Sequence, residues 1–214
     1  MNLIQFTKNN GKRAVGVIDK GEAHIVKGAD SVYRLALKAA DEGRKLKSVI
    51  ADKGLGSRID PAAILEDGRM LSPIDHPDPA HLYVTGTGLT HLGSASARDA
   101  MHKSDQQAVE TPLTDSMKMF RMGLEAGKPA KGQEGVQPEW FYKGNGTIVA
   151  APGAPIPSPA FAKDAGEEPE IAGIYVINKK GVPFRLGYAL GNEFSDHVTE
   201  RVNYLWLAHS KLRW

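Results

Sequence analysis

The first seventy residues alternate between short apolar runs and turn-forming segments. Apolar runs rich in β-branched side chains occupy residues 3–6 and 14–18, on either side of the turn signal Asn-Asn-Gly at 9–11. Residues 22–26 form a third run of the same kind. Short runs bounded by turn residues are typical of strands. From Ser31 onward the apolar spacing becomes helical, so this part of the chain is predicted to be a small α+β unit.

The predicted helix follows apolar positions that recur every three or four residues. They are Val32, Leu35, Ala36 and Ala39, with Leu46, Val49 and Ile50 on a later turn. Asp30 or Ser31 is a suitable residue to cap its start, because a short polar side chain can accept a free backbone N–H. Gly54 and Gly56 are expected to end it, and Gly43 favours a break into two helices.

A proline-rich segment at residues 71–79 divides the chain. It contains three prolines in seven residues. Proline removes a backbone donor and favours extended backbone before it, so this segment is predicted to be a linker. The sequence therefore predicts a small N-terminal domain at residues 1–72 and a second domain at residues 80–214.

The second domain begins with a glycine-rich stretch. Residues 84–88 are expected to lead into a helix around residues 98–101. Residues 140–142 and 147–149 are apolar and predict two buried strands on either side of a turn at 143–146.

Composition and charge exclude several kinds of partner and chemistry. Hydrophobic residues make up 41% and charged residues 24%, and 27 basic against 25 acidic residues give a net charge of +2. This even, interleaved charge argues against binding to nucleic acid. No apolar run has transmembrane length, and the first residues lack the apolar core of a signal peptide, so a cytoplasmic protein without membrane partners is expected. The absence of cysteine excludes disulfides, thiolate ligands and a cysteine nucleophile.

The clearest candidate chemistry lies in the last fifty residues. Residues 168–177 are predicted to form a strand with Glu168 and Glu170 near its start. Residues two apart in a strand point to the same face, so these carboxylates should lie side by side. The turn signal Asn-Lys-Lys-Gly at 178–181 predicts a hairpin whose return strand brings Glu193 back toward them.

Three converging carboxylates repel one another unless a cation lies between them. Oxygen-only ligation suits Mg²⁺, with Mn²⁺ or Ca²⁺ as alternatives, and disfavours Zn²⁺. The spacing alone favours a simpler interpretation, in which the acidic residues form the solvated face of a strand or a solvated loop end.

Four motifs occur in one order along the chain. They are Phe-Tyr-Lys-Gly at 141–144, Pro-Gly at 152–153, Glu-x-Glu at 168–170 and Gly-Asn-Glu-x-Ser at 191–195. This order resembles the fumarylacetoacetate hydrolase superfamily over about residues 80–214, and the first seventy residues resemble the variable N-terminal domain of some members. The resemblance implies an α+β protein, with a small N-terminal α/β unit followed by the first part of a mixed β-roll.

The resemblance also assigns roles to individual residues. It implies that Glu168, Glu170 and Glu193 bind the metal, although the third position is more often aspartate in the family. His91, in Gly-Leu-Thr-His, and Lys211 match positions of catalytic residues that move protons or stabilise charge. The alternative for His91 is a structural histidine. For Lys211 it is an exposed lysine at the end of an amphipathic helix built on Val198, Val202 and Leu205.

The residues around His91 and Glu193 also resemble the GguC-like branch, associated with sugar-acid catabolism and 2-keto-3-deoxy-L-arabonate dehydratase. In this superfamily a metal-bound 2-oxo acid forms a stabilised enolate. The expected activity is therefore dehydration of a 2-keto-3-deoxy sugar acid. The first alternative is hydrolysis of a C–C bond in acylpyruvate- or fumarylacetoacetate-like substrates. The second is a non-catalytic binding module or an inactive fragment.

Two further expectations follow from the resemblance. Family members are homodimers that bind a small 2-oxo acid, so both partners are expected here. They also continue past Lys211 with further strands, so the chain is expected to lack part of the catalytic domain. It should then be weakly stable and catalytically poor on its own, unless it is a compact natural variant.

Overall fold

The computed structural model describes residues 1–87, 115–136, 140–202 and 211 of the chain. The strands are β1 (Asn2–Thr7), β2 (Arg13–Asp19), β3 (Glu22–Val26), β4 (Leu55–Arg58), β5 (Tyr83–Thr87), β6 (Trp140–Asn145), β7 (Pro169–Ile177) and β8 (Pro183–Asn192). The helices are α1 (Val32–Asp41), α2 (Leu46–Lys53), α3 (Pro61–Glu66), α4 (Asp115–Ala126) and α5 (His197–Val202). Short 3-10 turns lie at Pro79–His81 and Gly146–Ile148.

The first four strands form one antiparallel sheet in the order β1-β2-β3-β4. The three strands predicted from the apolar runs are confirmed as β1, β2 and β3. The fourth strand was not predicted, because Gly54 and Gly56 both indicated a helix end. Gly54 does end α2, with φ 75°, but Gly56 lies inside β4. Most side chains of β4 are exposed, so its sequence lacks the apolar alternation of a strand.

The predicted helix is confirmed as two helices, α1 and α2. Ser31 caps α1 by accepting the backbone N–H of Arg34 at 3.3 Å. Gly43, with φ 63°, lies between the helices, as predicted. The apolar face of both helices packs against the first sheet in one core. This core comprises Val15, Val17, Val26, Ala29, Val32, Leu35, Ala39, Val49 and Ile50.

The fully buried side chain of Gln5 links three parts of this first unit. Its Oε1 accepts the backbone N–H of Val32 at 2.7 Å, and its Nε2 donates to the carbonyl of Ser72 at 2.9 Å. Arg13 also pairs with Asp75 at 2.7 Å. The start of the proline-rich segment is thus tied to the first sheet by specific contacts. The domain boundary placed there stays a prediction.

The predicted strand at residues 147–149 is wrong, and so is the turn at 143–146. The chain continues as a strand to Asn145, and the 3-10 turn Gly146–Ile148 follows it. The strand that ends at Asn145, β6, pairs antiparallel with β5, with a register shift between Val84 and Thr85. Long-range pairing with β5 overrides the local turn signal of Lys-Gly-Asn-Gly. The helix expected around residues 98–101 lies outside the described residues.

The hairpin of β7 and β8 is confirmed. Asn178 closes its turn, because the side-chain oxygen accepts the backbone N–H groups of Lys180 and Val182, each at 3.0 Å. Gly181 takes the positive φ of 76° that the turn requires. One face of the hairpin packs on α1 through Val176. The other face is apolar and exposed, with Ile171, Tyr188 and Leu190 among its side chains.

The α+β class is therefore confirmed. The described residues form one four-stranded sheet and two separate two-stranded sheets, so the mixed β-roll stays a prediction. Within the same residues, no helix is both long enough and apolar enough to cross a membrane.

Candidate metal centre

The three predicted metal ligands lie at the open end of the β7–β8 hairpin. Glu168 directly precedes β7, Glu170 is the second residue of β7 and Glu193 directly follows β8. Glu170 is paired with Gly191. The backbone N–H of Glu193 donates to the carbonyl of Glu168 at 2.9 Å, and the N–H of Glu168 donates to Oδ1 of Asn192 at 3.0 Å. Backbone pairing thus brings the three carboxylates to one place.

The geometry of the carboxylates fits a divalent cation. One carboxylate oxygen each from Glu168, Glu170 and Glu193 lies within 4.8 Å of the others. The Glu193 side chain is 11% exposed and that of Glu168 27%, whereas Glu170 is open to solvent. The set offers only oxygen donors and one accessible side, which suits Mg²⁺ or Ca²⁺. Its metal-binding role stays a prediction.

Lys211 lies within this acidic cluster. Its Nζ donates to Oε1 of Glu168 and to Oγ of Ser195, each at 3.0 Å. The same nitrogen lies 3.3 Å from Oε2 of Glu193 and 3.5 Å from Oε2 of Glu200. Its side chain is 5% exposed. The alternative of an exposed lysine at a helix end is therefore wrong.

The backbone explains how a residue so far along the chain reaches the cluster. Gly166 and Ser195 exchange backbone hydrogen bonds of 2.8 and 3.0 Å, which extends the pairing of the hairpin beyond its strands. Lys211 pairs with Ser195 in an isolated antiparallel β-bridge, on the side of Ser195 opposite Gly166. Ser195 is therefore flanked by two partners and fully buried. This pairing directs the lysine side chain toward Glu168.

A second lysine balances part of the remaining charge. Lys143, on β6, forms an ion pair with Oε1 of Glu193, and both side chains are largely buried. The Phe-Tyr-Lys-Gly motif contains this lysine, but the motif predicted no individual role for it. Among the residues that the structure describes, these two ammonium groups lie beside the three carboxylates of Glu168, Glu170 and Glu193, so acidic groups outnumber the lysines in this part of the cluster. Such an excess favours binding of a cation.

Burial and charge move the pKa values of the cluster in different directions. Burial is the largest influence on Glu168 and raises its pKa, but the charge and hydrogen bonding of Lys211 outweigh it and hold the pKa below its usual range. Burial also dominates at Glu193; with the nearby Glu168 charge, it raises the pKa despite Lys211 and Lys143. Burial lowers the pKa of Lys211, but Glu193, Glu200 and Glu168 together raise it. Lys211 is therefore a cation at neutral pH.

Two residues of the cluster were missed by sequence reasoning. His197 lies with Nε2 3.1 Å from Oε1 of Glu168, and Glu200 is buried beside Lys211. Both belong to α5, where His197 and Glu200 are three residues apart and share a helix face. Their position soon after the Gly-Asn-Glu-x-Ser motif was the available signal. His91 lies outside the described residues, so its predicted role stays untested.

Asp196 fixes the start of α5. Its Oδ1 accepts the backbone N–H of Thr199 at 3.0 Å, and its Oδ2 accepts the Thr199 hydroxyl at 2.7 Å and the N–H of Lys163 at 3.0 Å. Burial is the largest influence on the pKa of Asp196 and raises it, yet these hydrogen bonds outweigh burial and hold the pKa below its usual value. The ionised carboxylate therefore contributes to stability.

Asp196→Asn should lower the free energy of unfolding at pH 7 by about 1 kcal/mol, because charged hydrogen bonds become neutral ones. The folded pKa lies below the unfolded value of about 3.9, so the contribution of the carboxylate is complete above that pH. It should disappear as the pH falls through the folded pKa. Urea titrations from pH 7 to pH 2 measure this convergence. Asp67→Asn, at an exposed position, is the control, and a difference independent of pH would contradict the assignment.

The sequence matches no family model and no curated protein. The structure does match solved structures. The apo form of 2-keto-3-deoxy-D-arabinonate dehydratase superposes with a TM-score of 0.57 at 21% identity, over 99% of this chain and 61% of that one. A hexagonal crystal form of 2-keto-3-deoxyarabinonate dehydratase gives 0.59 at 20% identity, over 99% and 63%.

A third structure is 2-keto-3-deoxy-D-arabinonate dehydratase complexed with magnesium and 2,5-dioxopentanoate, with a TM-score of 0.56 at 20% identity. This match covers 99% of this chain and 61% of the dehydratase chain. The chain thus spans about three fifths of the dehydratases it matches. At 20–21% identity, what this chain shares with these dehydratases is the fold. The predicted resemblance is confirmed at the level of the fold.

Proposed function

We propose that this chain belongs to a divalent-metal-dependent enzyme that acts on a 2-oxo acid, as a lyase that dehydrates a 2-keto-3-deoxy sugar acid of the arabonate type. The observation that carries the proposal is the convergence of the Glu168, Glu170 and Glu193 carboxylates, two of which, Glu168 and Glu193, also pair with the buried ammonium group of Lys211. The fold shared with dehydratases, one of them complexed with magnesium and 2,5-dioxopentanoate, supports the same reaction class.

The three glutamates would hold the ion, which we propose to be Mg²⁺, with Mn²⁺ or Ca²⁺ as alternatives. When bound, a divalent cation supplies Lewis acidity toward the carboxylate and ketone oxygens of a 2-oxo acid. Glu170 is the exposed member of the set. It therefore marks the side from which substrate would approach.

Lys211 is suited to a different task. Its ammonium group is buried, held by Ser195 and close to the predicted ligands. A fixed cation in such a place stabilises negative charge on a neighbouring substrate oxygen. It can also donate a proton to the departing C4 hydroxyl, which then leaves as water. Removal of the C3 proton requires a base, and His91 stays our candidate for it.

A panel of 2-oxo acids with Mg²⁺ tests this proposal. The panel includes both enantiomers of 2-keto-3-deoxyarabonate, because the motifs resemble the L-arabonate enzyme whereas two of the matched structures are named for D-arabinonate. Dehydration yields a dioxo acid and no pyruvate, whereas hydrolysis of an acylpyruvate yields pyruvate and a second acid. Product NMR distinguishes the two, and chelation by EDTA should stop either reaction. Inactivity toward the whole panel, with no metal bound, would favour a non-catalytic module.

The resemblance also leads us to propose a cytoplasmic homodimer without nucleic-acid or membrane partners. The even charge balance of the sequence supports the absence of nucleic-acid binding.

A further inference from the structure

We propose that His197 is a positioning residue that holds the Glu168 carboxylate in the orientation needed to bind the metal. The inference rests on the proposed function, since Glu168 is one of its predicted ligands. His197 is the first residue of α5. Its imidazole lies between the carboxylates of Asp164 and Glu168, and neither the motifs nor the resemblance gave it a role.

The two nitrogens of the ring contact two different carboxylates, and one of these belongs to the predicted metal ligand Glu168. Nε2 lies 3.1 Å from Oε1 of Glu168, and Nδ1 lies 3.4 Å from Oδ2 of Asp164. Asp164 is itself held, because its Oδ1 accepts the backbone N–H of Ala165 at 2.7 Å. With a carboxylate facing each nitrogen, the imidazole is held between Asp164 and Glu168, and these two contacts fix the orientation of the ring.

Packing fixes the ring as well. A Cβ added to Gly166 would lie 2.1 Å from Nδ1 and 2.2 Å from Cε1 of His197. The ring therefore lies directly on the backbone of Gly166, in space that any other residue would fill. Gly166 is anchored in turn by its paired backbone hydrogen bonds with Ser195. The ring is thus held both by its polar partners and by the shape of the backbone.

Both donors to Glu168 act on one oxygen. His197 and Lys211 each contact Oε1, at 3.1 and 3.0 Å. Two donors from different elements fix the plane of a carboxylate that would otherwise rotate about several side-chain torsions. Glu168, unlike Glu170, precedes the regular strand, so its side chain depends more on such partners. Because these contacts order the Glu168 carboxylate before the ion binds, they reduce the entropic cost of binding the ion.

Direct ligation by His197 is the competing assignment. The ligand atoms of Glu168, His197 and Glu200 also lie within 4.8 Å of one another. However, Nε2 of His197 already faces Oε1 of Glu168 at 3.1 Å. The nitrogen is therefore directed at a carboxylate, as expected of an outer partner.

The test is Mn²⁺ binding by the whole chain, measured by calorimetry and EPR. His197→Ala should weaken Mn²⁺ affinity by about 10- to 100-fold, the usual effect of losing an outer partner. His197→Gln should recover most of that loss, since its amide places an N–H near the position of Nε2. His24→Ala removes a comparable histidine–carboxylate pair in β3 and should leave affinity unchanged.

Gly166→Ala provides a second variant if His197→Ala fails to fold, because it displaces the ring without removing a polar group. It too should weaken binding. Wild-type affinity in His197→Ala, or equal losses in the alanine and glutamine variants, would overturn the inference. So would ¹⁴N hyperfine coupling to Mn²⁺ that disappears in His197→Ala, since that requires direct ligation. Failure of the wild-type chain to bind Mn²⁺ would overturn the proposed function itself.

Discussion

Glu170→Ala should abolish Mg²⁺ binding while leaving the apoprotein folded. Glu170 is exposed and lies beside two other carboxylates, so removing its charge relieves repulsion and should not destabilise the metal-free chain. The loss of a direct ligand should exceed the roughly 10- to 100-fold loss in affinity caused by removing an outer partner. Turnover with Mg²⁺ should fall with it.

Calorimetric titration with Mg²⁺ and Mn²⁺ measures the affinity, and the rise in Tm with added metal gives an independent reading. Glu167→Ala is the matched control, because Glu167 is an exposed glutamate close by in sequence and outside the predicted ligand set. It should bind metal as the wild type does. Unchanged affinity in Glu170→Ala would show that this carboxylate is not a ligand.

Lys211→Met should strongly destabilise the apoprotein. The substitution keeps most of the side-chain length but leaves Glu168, Glu193 and Glu200 without their shared cation. Removing one partner from a buried ion pair costs about 3–5 kcal/mol, because the remaining charges stay buried. Saturating Mg²⁺ should restore part of the lost stability, since the metal then supplies positive charge. Turnover should not return, because the fixed ammonium group is gone.

Urea unfolding with and without Mg²⁺ measures both effects. Lys180→Met, on the exposed turn of the β7–β8 hairpin, should change stability by no more than about 0.5 kcal/mol. If the Lys211→Met apoprotein is as stable as the wild type, the buried ion pairs of Lys211 do not stabilise the fold as we infer. Full recovery of turnover with Mg²⁺ would show that Lys211 only compensates charge.

Local patterns determined much of the fold. Strands β1 to β3 and helix α1 follow from apolar spacing, because each buries one face against a single nearby core. The β7–β8 hairpin follows from its turn residues. The convergence of Glu168, Glu170 and Glu193 follows from the hairpin, since strand geometry and a tight turn are properties of contiguous sequence.

Only the tertiary structure decided which other side chains join that centre. Lys211 is buried because of its bridge with Ser195, and Lys143 reaches Glu193 from β6, whose strand pairing overrode a local turn signal. His197 reaches Glu168 because Gly166 leaves room for its ring. Each of these contacts joins residues distant in sequence, and its free energy depends on burial and on charges that other segments supply. The sequence by itself therefore determined the carboxylates, and the fold decided their electrostatic environment.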